Sequence, residues 1–126
     1  MISFAQFELQ DTSPIYLQII LYVKRGIIAG TIRDGDELPS RRVLSATLGV
    51  NPNTVQKAYK QLEDEGLIQS RTGAKSCVVV TSQMLSKIRE ELLEDDARGA
   101  VRSLKLMGVS KEEAYGLINK YWDMEI

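Results

Sequence analysis

The joint Gly49-Val50-Asn51-Pro52 constrains this chain more than any other feature of its sequence. Ahead of it, Leu44 and Leu48 lie one helical turn apart; behind it, Val55, Ala58, Tyr59 and Leu62 recur at steps of three and four residues. Each flank therefore reads as a helix with one apolar stripe. Ser40 stands where an N-cap belongs, its hydroxyl able to accept from an unpaired N–H of the first turn. Gly49 ends that helix, since it meets no Cβ penalty in a left-handed conformation, and Val50 can fill the corner. Asn51 is a second N-cap, and Pro52 fits the first helical position, where a missing N–H costs nothing. Two helices meeting at a sharp corner are what this spacing allows.

Off the buried stripe of the second helix lie Asn53, Thr54, Gln56, Lys57, Lys60 and Gln61. A polar, basic helix face carries donors and acceptors suited to base edges and phosphates in a major groove, which is how the second helix of a helix-turn-helix works. After Gly66, residues 67–71 and 76–81 are short and β-rich, separated by Thr72-Gly73-Ala74-Lys75, and read as a hairpin. A hairpin directly after a recognition helix is a wing. Arg71 at its base and Lys75 at its tip are then placed for the DNA backbone or the adjacent minor groove, while Gly73 serves the turn's backbone geometry.

The pattern Pro14-Ile15-Tyr16, Gly30, Gly35, Leu38-Pro39-Ser40, Arg42, Leu44, Leu48-Gly49-Val50, Thr54-Val55, Ala58-Tyr59, Leu62-Glu63, Gly66-Leu67-Ile68 and Arg71-Thr72-Gly73 resembles the DNA-binding domain of the GntR family of bacterial transcription regulators. Asn51-Pro52-Asn53-Thr54-Val55 and the short tail are similar to its YtrA-type branch. Pro52 and Lys75 depart from the pattern, standing where many members carry Arg and a second wing glycine. The resemblance implies a winged helix-turn-helix and a regulator, expected to be a repressor, of operons that often encode ATP-binding-cassette transporters. It also implies a DNA contact from Arg42, the arginine of the Pro-Ser-x-Arg pattern, with Arg41 beside it as a further candidate. The expected DNA-binding set is thus Arg41, Arg42, Asn53, Thr54, Gln56, Lys57, Lys60, Arg71, Gly73 and Lys75.

Upstream, residues 1–12 alternate weakly and are expected to form a short strand or an arm. Ser13-Pro14 reads as a cap and first-position proline opening a support helix with the stripe Tyr16, Ile19, Ile20, Val23 and Ile27, stopped by Gly30. Residues 31–37 read as a turn, and Leu38-Pro39 as a minimal extended bridge. Residues 1–81 are therefore expected to form the winged domain.

Residues 82–126 change character. Leu85, Ile88, Leu92, Leu93, Ala97, Ala100, Val101, Leu104 and Met107 continue one helical stripe, with Gly99 a candidate bend and Gly108 the stop. Val109-Ser110-Lys111-Glu112-Glu113 reads as a capping box opening a last helix whose apolar face is Ala114, Leu117, Ile118, Tyr121 and Trp122. Two helices cannot bury that much apolar surface alone; two copies of them can. The tail is thus expected to dimerise the chain through Leu92, Val101, Leu104, Leu117, Ile118, Tyr121 and Trp122, which would present two recognition helices to a palindromic operator. The expected fold class is α+β, mainly helical.

Composition narrows the chemistry. With no histidine and a single cysteine among 126 residues, Ser-His-Asp or Cys-His catalysis, the usual zinc sites and an intrachain disulfide are excluded. No phosphate-binding loop or nucleophile-base pair is present, so the chain does not read as an enzyme, and no cofactor or metal is expected. The carboxylates of the tail are interleaved with Lys87, Arg89, Arg98 and Lys111, as on a solvated face. Cys77 reads as a small buried apolar residue. The longest early apolar run, residues 15–23, is too short to span a bilayer, and a cytoplasmic location is expected. The net charge of -1 divides unevenly: residues 13–81 hold nine Lys or Arg against six Asp or Glu. The basic excess coincides with the motif. A tail of this size would not enclose an effector pocket in one subunit, so a small-molecule effector, if there is one, is expected between subunits or between tail and winged domain. A protein-interaction module remains an alternative reading of the same motif; its binding would lack a steep salt dependence.

Overall fold

The computed structural model describes residues 1–71 and 75–124. Its elements run α1 (Ile15–Ala29), β1 (Glu37–Leu38), α2 (Arg41–Leu48), α3 (Pro52–Asp64), β2 (Ile68–Arg71), β3 (Lys75–Val78), α4 (Ser82–Leu106) and α5 (Lys111–Trp122). This is a mainly helical α+β arrangement, with a helical triad, a small three-stranded sheet and two C-terminal helices. The chain divides into two compact units, residues 1–88 and 89–126.

In the first unit the core is built by the stripes the sequence shows. Ile19, Ile20, Val23 and Ile27 of α1 are buried, as are Leu44 of α2 and Val55, Ala58, Tyr59 and Leu62 of α3. α3 packs against both α1 and α2. Ser40 Oγ accepts from the Val43 N–H at 3.1 Å and Asn51 Oδ1 from the Asn53 N–H at 2.8 Å, so both helices of the corner start on the expected caps. Gly49 ends α2 at φ 68°, and the Val50 N–H reaches back to the Ser45 carbonyl while Ser45 Oγ donates to the Val50 carbonyl at 2.6 Å. The corner is locked from both sides.

Ser13 does not cap α1. Pro14 occupies the N-cap position with no side-chain cap bond, and the Gln18 carboxamide fastens the entry instead, donating to the carbonyls of Ser13 and Gln10 and accepting from the Gln10 N–H. A long amide one turn into the helix has replaced the short hydroxyl at its mouth. Residues 1–12 form an arm without regular structure: Ile2 and Phe4 are buried, the Ile2 N–H donates to the Glu37 carbonyl at 2.7 Å, and Phe4, Phe7 and Tyr22 form an aromatic cluster.

The sheet has the order β1-β3-β2, with β3 antiparallel to both neighbours. Leu38, expected in a bridge, is therefore an edge-strand residue paired opposite Ser76. Lys75 lies opposite Arg71 as the first residue of β3 and is not part of the hairpin tip. The expected turn residues Thr72, Gly73 and Ala74 lie outside the described residues. Cys77 is buried on β3.

In the C-terminal helices Gly99 makes no break, and α4 is one helix of 25 residues. Its neighbours Asp96, Ala97, Arg98, Ala100 and Val101 keep their helical bonding, and one glycine's deficit of about 1 kcal/mol is small against that. Gly108, at φ 74°, ends the turn after α4, and Ser110 Oγ accepts from the Glu113 N–H at 3.1 Å, the Ser110 half of the expected box. Among the described residues no helix is long and apolar enough to cross a membrane.

Candidate nucleic-acid interface

Asn53, Gln56, Lys57 and Lys60 are exposed at three- and four-residue spacing along the side of α3 opposite its buried stripe, and Thr54 beside them is half-buried. The main-chain N–H groups of Asn53 and Thr54 are already used by the Asn51 cap, which leaves their side chains free of helix-capping duty. α3 is anchored from behind. Tyr59, fully buried, donates its hydroxyl to the Pro39 carbonyl at 2.7 Å, tying the middle of the helix to the segment that enters α2. Burial pushes the Tyr59 phenol far above its ordinary pKa, with the Arg41 charge acting weakly the other way, so the group is a neutral donor at any ordinary pH.

Arg41, at the start of α2, lies with its guanidinium 5.2 Å from the centroid of that same ring. It is half-buried, and its Nε is enclosed with no hydrogen-bond partner. Arg42 is exposed. Between the two, the start of α2 carries one arginine with a fixed stem and one reaching into solvent.

The distribution of carboxylates sharpens the picture. Asp34 accepts from the Val80 N–H and Asp36 from the Arg33 N–H, holding the turn before β1. Glu63 accepts from Ser70 Oγ, fastening α3 to β2, and Glu65 pairs with Lys24 of α1 at 2.8 Å. Asp64 lies 3.5 Å from Lys60, and Glu37 lies 3.8 Å from Lys75. All six acidic groups of the motif region thus have partners. Among the described residues Arg33, Arg41, Arg42, Lys57 and Arg71 have no carboxylate within ion-pair distance, and of these Arg33, whose Nε donates to the Gly30 carbonyl, lies off the two motif helices and the wing. Lys60 and Lys75 are exposed but partly neutralised, through surface pairs that are cheap to open, at about 0–1 kcal/mol each. Gly73 of the expected set lies outside the described residues.

One residue read as frame from the sequence has a further contact. Tyr16 of α1 is half-buried, and the Lys57 ammonium sits 4.0 Å from its ring centroid. The signal was the tyrosine itself at the end of an otherwise aliphatic stripe. Elsewhere in the first unit an open groove of about 940 Å³ runs between the arm and α1, bordered by Phe7, Gln18, Tyr22 and Arg25. It lies apart from the α3 face by sequence and element. No group of histidine, cysteine, aspartate and glutamate side chains suited to a metal ion occurs among the described residues.

Two helices locked at a glycine corner, the second exposing a basic and amide-bearing face and followed by a hairpin that β1 extends to a three-stranded sheet, define a winged helix-turn-helix DNA-binding module. Residues 15–78 match the family model described as bacterial regulatory proteins, gntR family. The chain belongs to the GntR family of DNA-binding transcriptional regulators, and is not an enzyme. It is 30% identical over 106 residues to the HTH-type transcriptional regulator YhcF of Bacillus subtilis, across 84% of this chain and 88% of that protein. It is 46% identical over 68 residues to the HTH-type transcriptional repressor YtrA of the same organism, covering 54% of this chain and 52% of that one. Among solved structures, a GntR family transcriptional regulator from Listeria monocytogenes superposes with a TM-score of 0.76 at 28% identity, over 89% of this chain and 98% of that one.

Proposed function

We propose that this chain is a homodimeric repressor that binds a palindromic operator, with Arg41, Arg42, Asn53, Thr54, Gln56, Lys57, Lys60, Arg71, Gly73 and Lys75 forming its DNA-contacting surface. The observation that carries the DNA-facing assignment is the exposed face of α3 beside cations whose neighbouring carboxylates are already engaged. Asn53, Thr54 and Gln56 face base edges; Arg42, Lys60, Arg71 and Lys75 serve phosphates. The repressor sense follows the similarity to YtrA, a transcriptional repressor by name. The resemblance to the YtrA branch extends the proposal to an operon encoding an ATP-binding-cassette transporter.

The dimer rests on the tail. α5 has no buried residue; Leu117, Ile118, Tyr121 and Trp122 are 38%, 48%, 47% and 80% exposed, and Val101 of α4 is 52% exposed. Of the residues expected to dimerise the chain, Leu92 is buried and Leu104 half-buried in the single chain, and the rest are open. A 12-residue helix with its apolar face in water is marginal by itself. A second copy covering this face would stabilise it and set two α3 helices facing half-sites about one turn (~34 Å) apart, or at another spacing fixed by the tail.

Sedimentation run alongside a DNA-shift assay tests both halves. Lys57→Ala should weaken operator binding and leave the dimer intact, whereas Leu117→Asp with Trp122→Ala should weaken dimerisation and full-palindrome binding together. Monomers from the first change, or undisturbed dimers from the second, would contradict the assignment.

A further inference from the structure

This inference rests on the reading of α3 as the DNA-facing helix and concerns how that helix is prepared for its target. Lys24, Lys60 and Lys75 each lie within ion-pair distance of a carboxylate. Lys57 does not, among the described residues, and its ammonium sits instead over the face of Tyr16, 4.0 Å from the ring centroid. The other cation-ring contacts among the described residues are longer, at 5.2 to 5.6 Å. Tyr16 lies in the first turn of α1, and its half-buried ring continues the stripe in which Ile19, Ile20 and Val23 are buried. Lys57 is flanked on α3 by Val55, Ala58 and Tyr59, all buried. The packing of α1 on α3 therefore sets where the ring meets the lysine.

A lysine stem on a helix surface is flexible, and seating its ammonium against a phosphate ordinarily requires giving up much of that freedom. A ring face attracts the ammonium and removes part of the freedom beforehand. It occupies one side of the group only. The ammonium has three N–H donors, and those turned away from the ring stay available to a phosphate or base oxygen. A carboxylate partner would instead compete for the same donors and cancel the charge.

We propose that Tyr16 is a positioning residue for DNA binding: its ring holds the Lys57 ammonium in place so that α3 meets the duplex with this cation already set. Tyr16 acts through Lys57 and needs no DNA contact of its own; its hydroxyl is dispensable and its ring is not.

The test uses the full chain and a fluorescein-labelled duplex carrying the site most enriched from a random library, with affinity measured by anisotropy over a range of salt. Lys57→Ala should weaken binding and reduce the salt slope by about one counterion. Tyr16→Leu should weaken binding about two- to fivefold, the range a partly exposed cation-ring contact supplies. In the Lys57→Ala background the same change should do nothing further, and Tyr16→Phe should bind like the parent. NMR supplies a readout without DNA: the ring current of Tyr16 should shift the Lys57 side-chain methylene protons upfield, and Tyr16→Leu but not Tyr16→Phe should abolish the shift. An equal loss from Tyr16→Leu with and without Lys57, a Tyr16→Phe protein as weak as Tyr16→Leu, or no upfield shift in the parent would overturn the proposal. Lys57→Ala binding as the parent does at every salt concentration would instead overturn the DNA-facing role of Lys57 on which it rests.

Discussion

Removing one oxygen from Tyr59 should cost this protein stability out of proportion to the change in volume. In Tyr59→Phe the ring still fills its site, so the loss is confined to the hydroxyl and the 2.7 Å bond it donates to the Pro39 carbonyl. Tyr59 is fully buried and Pro39 is buried too, and no other donor to that carbonyl is found among the described residues. An orphaned buried acceptor costs about 1–3 kcal/mol; taking about 1.5 kcal/mol, a unit of this size should lose about 6–12 °C in Tm. The dependence on pH gives a second check. Burial raises the Tyr59 pKa in the folded state, so its contribution is fully present below the ordinary tyrosine pKa of about 10 and is lost as pH climbs above it, because only the unfolded chain then releases the proton. The gap between parent and Tyr59→Phe should therefore be constant from neutral pH to about 9 and narrow beyond about 10. Urea unfolding followed by circular dichroism at neutral and alkaline pH measures it. A neutral-pH loss below about 0.5 kcal/mol would refute the claim that this bond has no substitute.

Three further outcomes follow from local geometry. Asn51→Ala should destabilise the winged unit by about 1 kcal/mol, read from thermal unfolding, since its side chain is the cap of α3 and leaves the Asn53 N–H unpaired when lost. Gly49→Ala should cost about 1 kcal/mol in the same assay, because the residue sits at φ 68° with open space around it, so backbone strain acts alone. Gly99→Ala should instead raise stability by about 0.5–1 kcal/mol: the residue lies within continuous α4, no atom lies within 4 Å of an added Cβ, and a fall in Tm would contradict that open setting.

Much of the winged unit was legible because its signals are local. Ser40, Asn51 and Ser110 cap the helices they precede, and the four buried residues of α3 are those its period selects. Caps and stripes depend on residues within a turn or two of each other, and chain order displays them directly. The misses arose where a distant partner decides. Ser13 matches a cap, yet Gln18 reaches back across the arm and does the fastening. Lys75 reads as a tip residue because strand register depends on a turn geometry that composition does not specify, and the pairing with Arg71 places it in β3. At Gly99 the sequence leaves bend and continuity both open, and α4 runs on through it as one helix. For the candidate site the sequence shows which cations lie on α3 and the wing, but not that the nearby carboxylates are engaged elsewhere, nor that Lys57 rests on Tyr16, because both follow from how α1, α3 and the sheet meet.

Selection of bound duplexes from a random library at two salt concentrations bears most directly on the proposed function. Recovery of a two-fold symmetric site, bound more weakly at the higher salt, is the result expected of two symmetry-related α3 helices each carrying a basic face. Enrichment of a single asymmetric half-site, or of no sequence by a folded protein, would contradict it.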